Sequence, residues 1–446
     1  MRALLTALCR LLLRIFFRRI ESVGAERVPS AAPTLYVLNH PNALLDPLFI
    51  LCLSPRPVTF LAKAPLFSTF LVKHFVRAFE CLPVYREQDG EDPSKNRASI
   101  EASIALLAGG KALALFPEGT SHSDPKLRPL KTGAARIALS SSAATGGRAP
   151  APVLIVPVGL SYSDKSTFRS NALLVYGEPI ETPRVELDSS ARPPQAAAER
   201  LTAQIDAALA TVTVQAQTHE AIELARAAAQ ILAAAARDRG EPASPDRQAD
   251  LEFERRLVDG YERLRERAPS ELSRVVARVR SYEAELERIG LPLDHPATIG
   301  RRVAVRYGLR RLGALALLLG PALIGIVTHY PAYRGIGWIA RRVAKSSDVL
   351  ATFKLIAGLL FFPLSWLLLA GVSAWGLGWR EAGIVLLLLP ACGYAGLRFT
   401  ELLVDFVDRA RGAWALASRR DLGQFLLHER EVIRAAIVQL DAALGP

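Results

Sequence analysis

The chain has 446 residues, half of them hydrophobic, and a formal net charge of +12. This length allows two or three domains, and a basic, apolar chain suits either nucleic acid or an anionic membrane surface. The aromatic residues are not interleaved with basic ones as in RNA- or DNA-binding modules, which favours the membrane and excludes nucleic acid as the expected partner. The 4 cysteines and 7 histidines are scattered without metal-ligand spacing, so no metal site is expected.

Residues 1–22 alternate leucines with arginines and contain an acidic residue only at Glu21. Because Arg10, Arg14 and Arg18 recur every four residues, they form one stripe on a helix. The arginines interrupt the apolar run that a signal peptide or a spanning helix would need. The pattern predicts an amphipathic helix in the membrane interface. An amphipathic helix packed on the protein's own core is the alternative.

Residues 23–215 alternate short apolar runs with helical stretches, which predicts an α/β domain with a mostly parallel sheet flanked by helices. The predicted strands are 34–38, 58–61, 82–85, 112–116, 153–158 and 173–176. The predicted helices lie around 65–78, 94–108, 132–143 and 195–211.

The C-terminal half predicts an all-α region with membrane helices. Residues 216–311 are rich in Ala, Glu and Arg and predict two or three helices with a structural role. Three apolar stretches follow, at 312–333, 355–379 and 382–397, and residues 399–446 return to the composition of soluble helices.

Basic residues on both flanks of 312–333 argue that neither flank is exported. We therefore expect this stretch to be re-entrant or interfacial, broken near its middle at Pro321. Residues 355–379 and 382–397 would then cross the membrane as a hairpin, with the Arg380-Glu381 turn outside and the tail in the cytoplasm. Three crossings, with the C-terminus outside, are the alternative.

A histidine and an aspartate follow a predicted buried strand, in the segment Asn39-His40-Pro41-Asn42-Ala43-Leu44-Leu45-Asp46. Catalytic and binding residues of α/β folds usually lie at the carboxyl ends of strands. A histidine held by a carboxylate can act as a general base near neutral pH. Asp46 before Pro47 also fits a helix start, with Asp as the N-cap. The two interpretations are equally favoured by this segment alone.

Three further segments follow in order. Leu82-Pro83-Val84-Tyr85-Arg86 delivers an arginine to a strand end, and Leu115-Phe116-Pro117-Glu118-Gly119-Thr120-Ser121 brings a carboxylate, a glycine and a hydroxyl to a turn. Val153-Leu154-Ile155-Val156-Pro157-Val158-Gly159 is a buried strand that ends in glycine. Each segment is common by itself; their order and spacing carry the signal.

Together these segments resemble the glycerolipid acyltransferase family, which includes glycerol-3-phosphate and lysophosphatidic acid acyltransferases. The resemblance covers about residues 30–180 and includes Pro129-Leu130-Lys131-Thr132-Gly133. It implies that His40 is the general base and Asp46 its orienter. It implies acceptor-binding roles for six residues that follow the strands: Arg86, Glu118, Gly119, Thr120, Arg128 and Lys131. The cations among them would bind the acceptor phosphate.

The sequence departs from the family pattern at three places. Five residues, rather than the usual four, separate His40 from Asp46, so a regular helix would rotate the pair about 240° apart and the segment must bulge. Glu80 stands where the family often has glycine, and Ser121 where it often has arginine. The longer spacing, Ser121-His122 and the C-terminal extension are similar to the fungal-type glycerol-3-phosphate and dihydroxyacetone phosphate acyltransferases.

The resemblance implies transfer of a fatty acyl group from a thioester to a hydroxyl of glycerol-3-phosphate or a lysophosphatidic acid. No cofactor is expected; acyl-CoA or acyl carrier protein would be the co-substrate, which places the catalytic domain on the cytoplasmic face of the membrane. Membrane lipids, the acyl donor and the acceptor are the expected partners. A different lysolipid acceptor, a hydrolase, or a non-catalytic lipid-binding protein on the same fold are the alternatives.

Overall fold

The computed structural model describes residues 2–69, 72–143, 152–241, 247–297, 301–344, 347–419 and 421–444. The chain divides into two units. The first comprises Met1–Gln215 with Ala344–Thr352, and the second comprises Ala216–Val343 with Phe353–Pro446.

The first unit is built on an eight-stranded sheet. Its strands are β1 Arg19–Val23, β2 Thr34–Leu38, β3 Val58–Lys63, β4 Leu82–Val84, β5 Ala112–Leu115, β6 Leu154–Tyr162, β7 Asn171–Tyr176 and β8 Ile180–Glu181. Its helices are α1 Arg2–Phe16, α2 Leu45–Leu53, α3 Val72–Ala78, α4 Asn96–Ala108, α5 Gly133–Ser142 and α6 Gln195–Val212.

The strand order is β1-β7-β6-β2-β5-β3-β4, with β8 paired to β6. The strands from β6 to β4 in this order run parallel, while β7 and β8 pair antiparallel with β6. Strands β2 and β5 lie centrally and are fully buried, which explains their continuous apolar sequences. The predicted mostly parallel α/β sheet is confirmed. Because parallel strands end at one edge, the segments after β2, β4, β5 and β6 meet there.

The N-terminal prediction needs correction. The helix ends at Phe16, and Arg19–Val23 forms β1, paired in parallel with β7, so a single helix over 1–22 is wrong. One face of α1 buries Cys9, Leu13 and Phe16 against the first unit, as the alternative interpretation expected. Arg10 is exposed, and its Nε donates to the Cys52 carbonyl at 2.6 Å.

The other face of α1 is apolar and exposed. Leu4, Leu8 and Leu11 have relative exposures of 75%, 45% and 54%. Their spacing places them on one side of the helix.

The second unit is helical. Its helices are α7 His219–Asp238, α8 Arg247–Arg267, α9 Pro269–Ile289, α10 Arg301–Val343, α11 Ser347–Gly376, which begins in the first unit, α12 Trp379–Ser418 and α13 Leu422–Leu444. Helices α7, α9 and α13 enclose a hydrophobic core that includes Ile231, Leu286 and Ile433. Arg430 is 1% exposed within this unit and pairs with Asp238 at 2.7 Å, so the buried charge is compensated.

Three helices, Val305–Val343, Val349–Gly376 and Trp379–Ser418, are long and apolar enough to cross a membrane. Helix α10 runs unbroken through Pro321, so the predicted break and the re-entrant turn it would allow are wrong. A proline in a membrane helix is tolerated when neighbouring groups satisfy the freed carbonyl.

Helix α12 packs antiparallel along α10. Gly325 faces the Cys392 carbonyl, Gly396 faces Ala322, and the Arg409 guanidinium lies 4.7 Å from the Tyr307 ring centre. Small residues let the two backbones approach closely, as in membrane helix pairs. The helix that packs along α12 is therefore α10, and the crossing of 355–379 and 382–397 as a hairpin stays a prediction.

Candidate active site

His40 and Asp46 meet at the carboxyl end of β2. The His40 Nδ1 lies 2.9 Å from the Asp46 Oδ2. Asp46 is fully buried, and the His40 side chain is 13% exposed. The intervening segment is a turn rather than a helix, since α2 begins only at Leu45. The bulge that the five-residue spacing demanded is therefore present.

The helix-cap interpretation of Asp46 does not fit this geometry. The N-cap of α2 is Leu44, which makes no side-chain cap. The Asp46 carboxylate turns back instead and accepts the Asn42 backbone N–H at 2.6 Å. This bond closes the turn that carries His40. Asp46 is thus placed to orient the imidazole.

Burial raises the pKa of the Asp46 carboxyl, while hydrogen bonds from His40, Tyr162 and Asn42 oppose that rise. An ionised Asp46 accepts a hydrogen bond from an N–H at His40 Nδ1, which leaves the lone pair on Nε2. The imidazole also stacks on the Phe116 ring, with centres 3.6 Å apart and planes 7° from parallel. The ring is therefore fixed by contact on its face and by a hydrogen bond at its edge. This arrangement suits a general base.

Glu118 supports the backbone of His40. Its carboxylate is buried and accepts the His40 N–H at 3.0 Å and the Arg128 N–H at 2.9 Å. It also accepts a hydrogen bond from His122 Nε2, whose Nδ1 accepts the Asp124 N–H. In return, the His122 N–H donates to the His40 carbonyl at 3.1 Å. The turn after β5 thus holds the histidine through its main chain.

Two cationic side chains converge on Gly119. Arg86 Nη1 donates to the Gly119 carbonyl at 2.6 Å. A Cβ at Gly119 would lie 2.9 Å from Lys131 Nζ, so the glycine leaves room for this lysine. With φ at +76°, Gly119 also has a backbone conformation that favours glycine. The segments after β4 and β5 therefore bring a guanidinium and an ammonium to one point.

The remaining candidate residues are placed differently. The Arg128 guanidinium pairs with Asp124 at 2.7 Å and is 45% exposed, so its backbone N–H, rather than its charge, reaches the site. The Thr120 hydroxyl bonds locally to the Ser121 carbonyl at 3.4 Å. Among the described residues, no group of three His, Cys, Asp or Glu side chains is arranged to hold a metal ion.

Sequence reasoning missed two neighbours of the dyad. Tyr162 donates its hydroxyl hydrogen to Asp46 Oδ1 at 2.5 Å. Lys165 Nζ donates to the Pro41 carbonyl at 3.2 Å and to the Ser123 hydroxyl at 2.5 Å. Tyr162 is the last residue of β6, which continues four residues beyond its predicted end at Val158, and Lys165 lies three residues after it. The residues after Val158 do not continue the apolar run of the strand, so the sequence pattern did not predict its extension to Tyr162.

Two family models match this chain. The acyltransferase model matches residues 19–161, and the model of the glycerol-3-phosphate acyltransferase 2 C-terminal domain matches residues 243–446. The two matched ranges together take in more than half of the chain. The first range contains all the site residues described above, except Tyr162 and Lys165.

Relatives were found among known acyltransferases. An uncharacterized acyltransferase of Schizosaccharomyces pombe is 25% identical, over 98% of this chain and 80% of that protein. Glycerol-3-phosphate O-acyltransferase 1 of Saccharomyces cerevisiae is 29% identical, over 58% of this chain and 35% of that enzyme. A probable 1-acyl-sn-glycerol-3-phosphate acyltransferase of Mycoplasma pneumoniae is 31% identical, over 28% of this chain and 46% of that protein.

The chain thus spans about a third of the length of the Saccharomyces enzyme and most of the length of the Schizosaccharomyces protein. The joint match to the catalytic and C-terminal models carries the assignment. The chain belongs to the glycerolipid acyltransferase family, in its fungal-type glycerol-3-phosphate acyltransferase branch.

Proposed function

We propose that this chain is a membrane-bound O-acyltransferase of phospholipid synthesis. It moves a fatty acyl group from an acyl thioester to a hydroxyl of glycerol-3-phosphate or a lysophosphatidic acid. The observation that carries the proposal is the fixed His40–Asp46 pair at the same sheet edge as Arg86 and Lys131, which converge on Gly119. The names of the relatives supply the two acceptors.

His40 performs the proton transfer. Its Nε2 removes the proton from the acceptor hydroxyl as the oxygen attacks the thioester carbonyl. Asp46 stabilises the imidazolium that forms, since its carboxylate faces Nδ1 at 2.9 Å. When the tetrahedral intermediate collapses, the new C–O bond remains and the C–S bond breaks. The thiolate then takes the proton held on His40.

Arg86 and Lys131 bind the acceptor phosphate. A phosphate dianion near neutral pH needs fixed cations, and these two converge at Gly119. Arg128 contributes less because its side chain is 45% exposed, against 20% for the Arg86 side chain, so solvent screens its charge more. Glu118 acts indirectly: its carboxylate accepts hydrogen bonds from the main chain that carries His40. Thr120 adds a hydroxyl near the same turn.

The chain is bound to the membrane, with the catalytic unit on the cytoplasmic face where acyl-CoA or acyl carrier protein is available. The three apolar helices support the membrane assignment. The exposed leucines of α1 support a second contact, with the membrane interface. Membrane lipids, the donor thioester and the acceptor are its partners, and nucleic acid is not.

The test is product analysis with the purified full-length chain in lipid vesicles. Labelled acyl-CoA or acyl carrier protein is supplied with glycerol-3-phosphate, dihydroxyacetone phosphate or a lysophosphatidic acid. Acylated acceptor formed by the wild type and lost in His40→Ala supports the proposal. Free fatty acid without acylated acceptor would identify a hydrolase.

A folded, lipid-binding wild type without turnover on any acceptor would identify a non-catalytic protein. Circular dichroism and vesicle binding of His40→Ala provide the control for folding. A His40→Ala variant with normal turnover would remove the mechanism.

A further inference from the structure

The Asp46 carboxylate has a third partner that lies far from it in sequence. The Tyr162 hydroxyl, at the end of β6, donates to Asp46 Oδ1 at 2.5 Å, while the His40 Nδ1 and the Asn42 N–H meet Oδ2. Each oxygen of the carboxylate therefore has its own set of partners. Among the described residues, Tyr162 is the hydrogen-bond partner of Oδ1.

The Tyr162 ring is locked in place. It stacks on Phe17 with ring centres 5.6 Å apart, and it contacts Phe49 at 5.8 Å. Backbone pairing of Tyr162 with Ala172 in β7 fixes the base of the side chain. A phenol held on its faces and at its backbone presents its hydroxyl at one position. The geometry is that of a pre-organised donor.

A fully buried carboxylate needs such a donor. Removal from water disfavours the charged form of Asp46, and a hydrogen bond to the charged form restores it. Burial and the neighbouring Asp46 raise the pKa of the Tyr162 phenol well above its usual value, so Tyr162 remains a donor over the working pH range. Its hydroxyl thus favours an ionised Asp46.

We propose that Tyr162 is a positioning residue for acyl transfer: through its hydrogen bond to Asp46 Oδ1, it keeps Asp46 ionised and aimed at His40. The inference rests on the proposed function, because it assigns Tyr162 to the same dyad. Tyr162 does not contact the reacting atoms in this scheme. It sets the pH range in which His40 is a competent base.

In the described part of the chain, the charged and titratable groups around the pair lie on a few elements. His40 and Tyr162 face Asp46 from the ends of β2 and β6. Glu118 and His122 face the main chain of His40 from the turn after β5, and Lys165 reaches the Pro41 carbonyl. Helix α1, packed on α2, contributes Arg10, which binds the Cys52 carbonyl. Asn42 adds only its backbone N–H to the carboxylate.

The test is the pH profile of kcat/KM for Tyr162→Phe, measured with the acceptor that the wild type uses. Tyr162→Phe removes a hydrogen bond to a charged group, so the acid limb of the profile should move to higher pH by about one unit or more. The acid limb moves to higher pH because loss of the Tyr162 hydrogen bond destabilises the pair with ionised Asp46 and neutral His40 relative to the protonated pair. An unmoved acid limb, whatever the change in kcat, would overturn the proposal.

Two matched controls separate this role from packing. Tyr176 is a buried tyrosine of β7 whose hydroxyl has no hydrogen-bond partner among the described residues, so Tyr176→Phe should leave the profile unchanged. Phe49→Leu disturbs the aromatic contacts of Tyr162 without removing its hydroxyl, so it should lower stability without moving the acid limb by a full unit. An equal shift in either control would assign the effect to packing and overturn the proposal.

If Tyr162→Phe does not fold, 3-fluorotyrosine at position 162 gives the same test with the ring shape kept. A more acidic phenol donates more strongly, so the acid limb should move to lower pH; no movement would overturn the proposal. Wild-type turnover is measured first. Absent turnover refutes the proposed function, whereas normal wild-type turnover with unmoved acid limbs refutes only the role of Tyr162.

Discussion

Arg86 donates a 2.6 Å hydrogen bond from Nη1 to the carbonyl oxygen of Gly119, which ties the segment after β4 to the turn after β5. The other edge of the guanidinium binds Asp89, with Nε and Nη2 at 2.7 and 3.0 Å from its two oxygens. Arg86 is thus oriented by the protein before any substrate binds. An orientation fixed in advance lowers the entropy cost of binding a phosphate.

Arg86→Ala should raise the KM for the acceptor about 10-fold or more and leave the KM for the acyl donor nearly unchanged. Loss of a charge-assisted contact costs about 1.5–3 kcal/mol, and each 1.4 kcal/mol is a factor of about ten. Initial rates against each substrate, with the other saturating, measure the two constants. Arg128→Ala is the matched control, because that guanidinium pairs with Asp124 at the surface.

The Arg128→Ala variant should change the acceptor KM much less than Arg86→Ala. Equal effects of Arg86→Ala on both substrates would refute the phosphate role. Lys131→Ala should resemble Arg86→Ala with a smaller effect, since lysine binds phosphate as a single point charge.

Glu118→Gln distinguishes indirect from direct action of this carboxylate. Glutamine has one acceptor oxygen and an NH2 group, so it cannot accept from the His40 N–H, the Arg128 N–H and His122 together. We expect kcat to fall about 10-fold or more because His40 loses its main-chain support, with the acceptor KM within about twofold of the wild type. The readouts are kcat and KM from the same acceptor titration.

A rise in acceptor KM with kcat unchanged would show that Glu118 binds the acceptor directly. Glu178→Gln is a control, since that carboxylate is 80% exposed and pairs with Arg27 at the surface. It should change neither constant.

Much of the sheet was predictable because its central strands are continuous apolar runs. Strand β2 lies at 34–38, as predicted, and β3 to β7 lie within a few residues of their predicted bounds. Strand β1 was missed because Arg19-Ile20-Glu21-Ser22-Val23 is half polar and lies at the end of the sheet, beside only β7. A strand that buries little side-chain surface leaves no periodic signal in the sequence.

The dyad could be predicted, but its supports could not. The His40–Asp46 pair lies within one short segment, whereas Tyr162 is 116 residues from Asp46 and Glu118 is 78 residues from His40. The Glu118 bond also involves a backbone N–H, which every residue except proline has. Pattern reasoning cannot identify a main-chain partner across the sheet. The indirect role that we propose for Glu118 therefore depends on the structure.

Glu80, which stands where the family often has glycine, has a backbone conformation that favours glycine. Its φ is +54°, the left-handed region, and the Cys81 N–H reaches the Val76 carbonyl at 2.8 Å, as in a helix C-cap that favours glycine. Glu80→Gly should stabilise the chain by roughly 0.5–1 kcal/mol, because relief of the left-handed strain exceeds the entropy that glycine adds to the unfolded state. The shift in the unfolding midpoint of the full chain in detergent measures this change in stability.

The exposed pair of Glu80 with Lys111, at 3.9 Å, contributes little to that balance. Glu101→Gly is the control of opposite sign. Glu101 lies inside α4, where glycine should destabilise by about 1 kcal/mol. A lower midpoint for Glu80→Gly would show that the side chain of Glu80 matters more than its backbone strain.

The exposed face of α1 should bind membranes. Leu8→Glu and Leu11→Glu place charges on that face, so they should weaken its contact with anionic vesicles. In the full chain, whose apolar helices also anchor it, the same changes should lower turnover on vesicle-borne acceptor while leaving turnover on detergent-dispersed acceptor unchanged. Ala3→Glu, exposed beside this face, is the control and should have a smaller effect.

The antiparallel packing of α10 and α12 gives a test of the membrane topology. If both helices cross, Arg306 and Arg411 share one side of the membrane, and Arg342 and Arg380 share the other. Cysteine labelling from the outer face, in a background without native cysteines, should therefore give positions 342 and 380 the same reactivity, and positions 306 and 411 the same reactivity. Labelling at 306 with protection at 411 would refute this pairing across the membrane, and labelling at 380 with protection at 342 would instead support the hairpin of 355–379 with 382–397.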